Sequence, residues 1–184
     1  VPDGYLVAGD PVQQFLMTYE GTKKPTIIAA AEAQTLRTVY PIINRRKQVE
    51  SLLDAGSQIV SMSREVAVDL GISWNPDVTI QMQSANGSLE TTDGLAENVP
   101  FVFEGITVYL QVHVIKNAAY KVILGRPFDV LTESVVTNQK EGGQLLTIKD
   151  PSSGQRKTIP THVKGKPPEI LSRSDGPAVA SQSF

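Results

Sequence analysis

An all-β fold with one or two short helices is what this sequence predicts, and three observations carry it. Apolar and polar residues alternate along Val99, Phe101 and Phe103, and again along Ile106, Val108, Leu110, Val112 and Val114, which is the period of a half-buried strand. Asn86-Gly87, the strongest two-residue hairpin turn, follows another alternating run, Val78, Ile80 and Met82. The chain has 184 residues, 40% hydrophobic and 20% charged, enough apolar material for one compact core.

Residues 1–36 mix Pro and Gly with an Ala-rich stretch at 27–33, and read as a leader or linker holding a short helix. The folded domain is expected over 37–150. It opens with strand-like runs at Val39, Ile42-Ile43, Val49 and Leu52-Leu53, broken by the polar hairpin signal Asn44-Arg45-Arg46-Lys47. Gln58-Ile59-Val60 follows the turn Asp54-Ala55-Gly56-Ser57. Ser61 or Ser63 can then cap a short helix through Glu65, Val66 and Leu70, with Gly71 at its C-terminal end. The two long alternating runs read as a β-meander around Glu104-Gly105. Val122-Ile123-Leu124 is a buried strand ending at Gly125, after which Pro127 suits the first turn of a second helix. Val135-Val136 and Leu145-Leu146-Thr147-Ile148 flank the turn Glu141-Gly142-Gly143. Residues 151–184, dominated by Pro, Ser, Gly and Lys, are expected to be a disordered tail or linker.

Composition excludes several chemistries. There is no Cys, hence no disulfide scaffold, thiol nucleophile, Cys-ligated zinc or iron–sulfur cluster. Two His residues, His113 and His162, cannot build a three-His metal site. Neither a metal nor a cofactor is expected. A net charge of −2 does not provide a basic nucleic-acid surface, and Arg45-Arg46-Lys47, Lys157, Lys164 and Lys166 read as solvated charges, so nucleic-acid binding is not expected of this domain. No apolar run spans a membrane and the N-terminus lacks a signal pattern, so no membrane association and an intracellular, cytoplasmic location are expected. The first residue, Val1, suggests a piece of a longer chain. His113, on the strand face opposite its apolar neighbours, reads as a solvated surface residue, and His162 as part of the unstructured tail. Met82 and Trp74 read as packing residues.

The most informative segment is Leu52-Leu53-Asp54-Ala55-Gly56-Ser57. An acid in a tight turn directly after buried strand residues is held rigidly, and the Gly lets backbone pass close to it. Two carboxylates sharing a proton can activate water and protonate a carbonyl together, whereas one alone is a poor catalyst of amide hydrolysis. The other Asp-x-Gly, Asp69-Leu70-Gly71, lies at a helix end and reads as capping. One acid per chain is left for chemistry, and a dyad then needs two chains around a twofold axis.

Taken with Met82-Gln83-Ser84-Ala85-Asn86-Gly87, Tyr109-Leu110-Gln111-Val112-His113-Val114-Ile115 and Ile123-Leu124-Gly125-Arg126-Pro127-Phe128, this turn resembles the retropepsins. These are the aspartic proteases of retroviruses and long-terminal-repeat retrotransposons, and the likeness is greatest to the Gag-Pol protease region of fungal retroelements. It covers roughly residues 37 to 150. The resemblance implies a single-lobe acid-protease β-barrel, active as a symmetric homodimer, that hydrolyses peptide bonds of a Gag-Pol polyprotein without metal or cofactor. It implies that Asp54 is catalytic and pairs with its counterpart in a second subunit, that Gly56 allows the two loops to approach, and that Ser57 bonds near the outer carboxylate oxygen. Ser84, Ala85, Asn86, Gly87 and Ser88 would form a flap over an extended peptide. Ile123, Leu124 and Gly125 would pack beside the active-site loop. Two like charges in one site do not both ionise readily, so activity is expected to peak below neutrality.

One position departs from the family pattern. Ala55 stands where a Thr or Ser hydroxyl would cross the dimer axis, and its loss from both loops loosens the dimer by a few kcal/mol at most, at ~0.5–1.5 kcal/mol per net hydrogen bond. Weakened rather than abolished activity is expected. The competing reading, which Ala55 favours and Asp54 opposes, is a degenerate non-catalytic module serving as a structural or protein-binding domain.

Overall fold

A computed structural model describes residues 20–21, 36–83 and 86–165. The expected leader helix at 27–33 and the flap residues Ser84 and Ala85 lie outside the described residues.

The chain is mostly β. In order, the elements are β1 (Arg37–Val39), β2 (Ile42–Ile43), β3 (Lys47–Gln48), β4 (Ser51–Leu53), β5 (Ser61–Ser63), α1 (Arg64–Asp69), β6 (Gln81–Gln83) and β7 (Leu89–Thr91). Then come β8 (Gly94–Phe103), β9 (Ile106–Ile115), β10 (Val122–Leu124), α2 (Arg126–Thr132), β11 (Val135–Asn138), β12 (Gln144–Lys149), β13 (Arg156–Pro160) and β14 (His162–Val163). Nine strands form one curled sheet in the order β14-β1-β4-β10-β5-β9-β8-β2-β3, with a separate β11-β12-β13 sheet and the β6-β7 hairpin.

Local sequence accounts for the turns. Asn44 and Arg45 carry positive φ (52° and 57°) between β2 and β3, and Glu104 and Gly105 do so (45° and 91°) between β8 and β9. Two consecutive left-handed residues match the twist of the flanking strands. Ser63 Oγ accepts from the Val66 N–H (3.3 Å) to cap α1. A bulge interrupts β8–β9 between Ala96 and Val99. There Asn98, at φ 51°, is held by reciprocal bonds with the Gln111 side chain (3.0 and 2.8 Å).

The meander expectation holds only for β8–β9. β5 pairs parallel to β9, and β10 parallel to β4, so the large sheet is mixed rather than purely antiparallel. The core sits inside its curl. Phe101, Phe103 and Phe128 are fully buried there, with ring centroids 6.3 and 5.2 Å apart in sequence order. The Phe128 contact fastens α2 beneath the sheet.

The domain does not stop at 150. β13 pairs with β12, placing Ile159 opposite Leu146, and Ile159 is buried at 4% exposure. β14 pairs with β1 through His162 opposite Thr38, so His162 is structured, with its ring 5.8 Å from that of Tyr40. The described part of the expected tail is thus integral to both sheets. A single apolar residue among polar ones is enough to anchor an edge strand, and composition does not register it.

Candidate active site

Asp54 stands at the end of β4, an interior strand flanked by β1 and β10. Its backbone N–H donates to Leu124 O (3.1 Å), extending the β4–β10 ladder past the last paired residue, Leu53 opposite Leu124. The chain then turns at once. Ser57 N–H donates to Asp54 O (3.1 Å), and Gly56 N–H donates to the carboxylate Oδ1 (3.1 Å). The acid is oriented by its own loop, as an Asx turn does. Asp54 is half-buried, while Ala55 and Gly56 are exposed at the tip.

Ile123, Leu124 and Gly125 run directly alongside this loop. Gly125 abuts it so closely that a Cβ there would stand 2.1 Å from Ile59 O and 2.6 Å from Ser57 O. Arg126 N–H donates to Ser57 O (2.7 Å), tying the start of α2 to the same turn. The Ser57 hydroxyl differs from its expected role. It donates to Ile59 O (3.1 Å) rather than reaching the Asp54 carboxylate, because the turn carries its side chain towards the backbone of the following residues.

Asp54, Ala55 and Gly56 line a cavity of ≈ 490 Å³ whose other walls include Leu36, Leu53, Tyr120, Asp129, Val136 and Leu146. The sequence reading missed Tyr120 and Asp129. Asp129 lies in the first turn of α2, where an acid favours the helix N-terminus, and its Oδ1 accepts a bond from Ser134 Oγ (2.7 Å). Only the fold shows that it shares a cavity with Asp54.

A larger cavity, ≈ 690 Å³, lies elsewhere, between Tyr40, Glu50, Glu65, Asp69 and Lys121. Its acids are largely committed. Glu50 Oε2 accepts from Tyr40 Oη (2.9 Å) and Gly165 N–H (2.8 Å), and Asp69 pairs with Lys47. Burial, reinforced by the bond to Glu50, pushes the Tyr40 hydroxyl up to about 12, so it remains a donor to Glu50. This is fastening chemistry, which makes the smaller Asp54 cavity the better candidate for catalysis.

The hairpin expected to act as a flap is present as β6–β7, with Gln83 opposite Leu89. Its base is closed by Thr92 N–H to Ile80 O (2.9 Å) and Ile80 N–H to Thr92 Oγ1 (3.0 Å). Asn86 Oδ1 accepts from both Ser88 N–H (3.1 Å) and Ser88 Oγ (2.8 Å), and Gly87 has φ 85°. Asn86, Gly87 and Ser88 are exposed and do not line the Asp54 cavity.

Neither His lies in that cavity. His113 is not the solvated residue expected. Its Nδ1 is buried without a hydrogen-bond partner, and desolvation holds its pKa below the ordinary histidine value. Alternation assigns a side chain to a face of β9 but does not say whether that face is covered; β5 and β8 flank this strand, with Ser61 and Leu95 opposite His113. Among the described residues no group of three or more His, Asp or Glu could hold a metal ion. No helix of the described chain is long and apolar enough to cross a membrane.

Comparison with known proteins adds to this geometry. Residues 40–128 match the profile of a family described as gag-polyprotein putative aspartyl protease. No curated protein matches the chain. Among solved structures, the retroviral protease-like domain of Ddi1 from Leishmania major is similar at 17% identity with a TM-score of 0.55. The match covers 73% of this chain and 99% of that one. At that identity the likeness is one of fold. The sheet topology and the structural match show a retropepsin-like fold, and the family profile matches the stretch of it that carries the Asp-Ala-Gly loop and β10.

Proposed function

We propose that the chain is an aspartic endopeptidase of the retropepsin type, with one Asp54 from each of two subunits forming a dyad across a homodimer. The observation that carries this reading is the Asp54 loop itself. Its acid is fixed by Gly56 N–H and the β4–β10 ladder, and its tip, Ala55-Gly56, is left exposed at the lip of a mostly apolar cavity. A half-buried acid behind an exposed small-residue tip suits approach by an identical loop.

In the proposed reaction one carboxylate takes a proton from a water held between the two acids. That water attacks the peptide carbonyl carbon while the other, protonated acid donates to the carbonyl oxygen. Collapse of the tetrahedral intermediate breaks the C–N bond, and the proton passes to the leaving amine. The substrate is an extended polypeptide, which the β6–β7 hairpin covers as a flap including Ser84 to Ser88. We assign the biological substrate as the Gag-Pol polyprotein of a fungal long-terminal-repeat retroelement, following the sequence resemblance and the family description.

Asp54→Asn is expected to abolish cleavage of a mixed peptide library while leaving the circular dichroism spectrum and the melting temperature nearly unchanged. Cleavage that persists in this variant refutes the assignment. Ala55 favours the second reading, a non-catalytic protein-binding module, because it offers no hydroxyl to the partner loop. A protein that sediments as a monomer and ignores a statine-type peptide inhibitor belongs to that class.

A further inference from the structure

Asn86-Gly87 is the only Asn-Gly step in the sequence; every other Asn precedes Arg, Pro, Val, Ala or Gln. It sits in the exposed turn between β6 and β7. An Asn followed by Gly is a reactive pair as well as a turn, because the main-chain nitrogen of the second residue can close a five-membered ring on the side-chain carbonyl carbon of the first. A side chain on the second residue hinders that approach, and Gly has none.

The turn holds Asn86 in a form suited to this chemistry. Ser88 N–H and Ser88 Oγ both donate to Asn86 Oδ1 (3.1 and 2.8 Å). A main-chain N–H can only donate, so it is the oxygen of the amide, not its nitrogen, that faces Ser88. Two donors therefore converge on the atom that becomes negative when Cγ is attacked, which is how an oxyanion is stabilised. Gly87 has φ 85°, and a methyl group placed on it would meet no heavy atom within 4 Å among the described residues, so the attacking residue is uncrowded.

We propose that Asn86 is a site of intramolecular deamidation, promoted by Ser88. The Gly87 nitrogen gives its proton to solvent and its electron pair attacks Asn86 Cγ, forming an N–Cγ bond and leaving the charge on Oδ1 between the two Ser88 donors. Collapse breaks the Cγ–Nδ2 bond, and the nitrogen takes a proton from solvent and leaves as ammonia. Water then opens the succinimide ring and returns a proton to the Gly87 nitrogen. Opening at Cγ gives aspartate; opening at the main-chain carbonyl gives isoaspartate, whose main chain runs through the former side chain. Either product puts a carboxylate on the tip of the β6–β7 hairpin, and isoaspartate also lengthens the turn. Any effect on peptide held beneath that hairpin rests on its proposed role as a flap, but the chemistry at Asn86 does not.

The test holds the full-length chain, folded, at mildly alkaline pH and follows each Asn by peptide mapping, with isoaspartate scored by enzymatic methylation. Asn86 is expected to convert faster than any other Asn. Ser88→Ala should slow that conversion about fivefold, the worth of one net hydrogen bond, and Ser88→Thr, which keeps the hydroxyl, should restore it. In urea, where the turn is lost, wild type and Ser88→Ala should convert at the same rate. An Asn86 that stays an amide in the folded chain overturns the proposal. So do equal rates for folded wild type and Ser88→Ala, or a difference between them that persists in urea. None of these readouts needs peptide cleavage, so an inactive enzyme leaves this inference standing, and an unreactive Asn86 leaves the Asp54 assignment intact.

Discussion

At the scale of single residues, Gly125 shows how tightly the Asp54 loop is braced. A methyl group at this position would overlap the carbonyl oxygens of Ile59 and Ser57, both backbone atoms that cannot rotate away. Gly125→Ala is expected to cost ~1–3 kcal/mol in chemical denaturation, the usual range for overpacking, and to reduce activity further by displacing Asp54. Wild-type stability in that variant would mean the loop is looser than its contacts imply. His113 gives a second test. Desolvation favours its neutral form in the fold, so its contribution to stability is complete above the ordinary histidine value of 6.5 and is lost as pH falls from there towards the lowered folded value. His162 acts in the same sense, through desolvation first and the nearby Arg37 second. The denaturation midpoint should therefore fall on acidification below about pH 6.5, and His113→Leu should remove part of that fall. An identical pH profile in the variant would assign the loss to other groups.

Among the elements, β13 departs most from sequence expectation. Ile159 is its one buried residue and joins the β11-β12-β13 sheet to the core cluster. Ile159→Ala should cost ~2–5 kcal/mol, as for other buried aliphatic truncations, whereas a substitution in a disordered tail would cost nothing. Urea unfolding separates the two outcomes. What could be read in advance follows from element length and pattern. β8 and β9 are ten residues each with sustained alternation, so their pairing and inward faces were legible. The α1 cap at Ser63 and the β2–β3 and β8–β9 turns were legible because their chemistry is local. The pairing of β4 with β10 joins residues some seventy positions apart in parallel register, and no local pattern encodes that. The same limit hid Asp129 and Tyr120, whose place beside Asp54 exists only once α2 and the loop before β10 have folded against β4. Asp54 itself was legible because its turn, Asp-x-Gly after an apolar strand, is a local signal.

For the whole molecule, the proposed dyad requires two copies. In it each chain would supply one Asp54 at the mouth of a cavity, with the loops meeting at the exposed Ala55-Gly56 tip. Ala55→Thr should restore a hydroxyl on each side of the axis and strengthen dimerisation by about thirtyfold, from two net hydrogen bonds at ~1 kcal/mol each. An unchanged sedimentation profile would contradict the role given to that position. The most direct test mixes wild type with Asp54→Asn at equal concentration and constant total protein, after exchange of subunits, and reads peptide cleavage. If both acids of a twofold pair are needed, only homodimers of wild type cut, and the rate should fall to about a quarter of the pure wild-type value for a freely exchanging dimer. A fall to about one half would mean that each chain works alone, and would contradict the shared reaction centre.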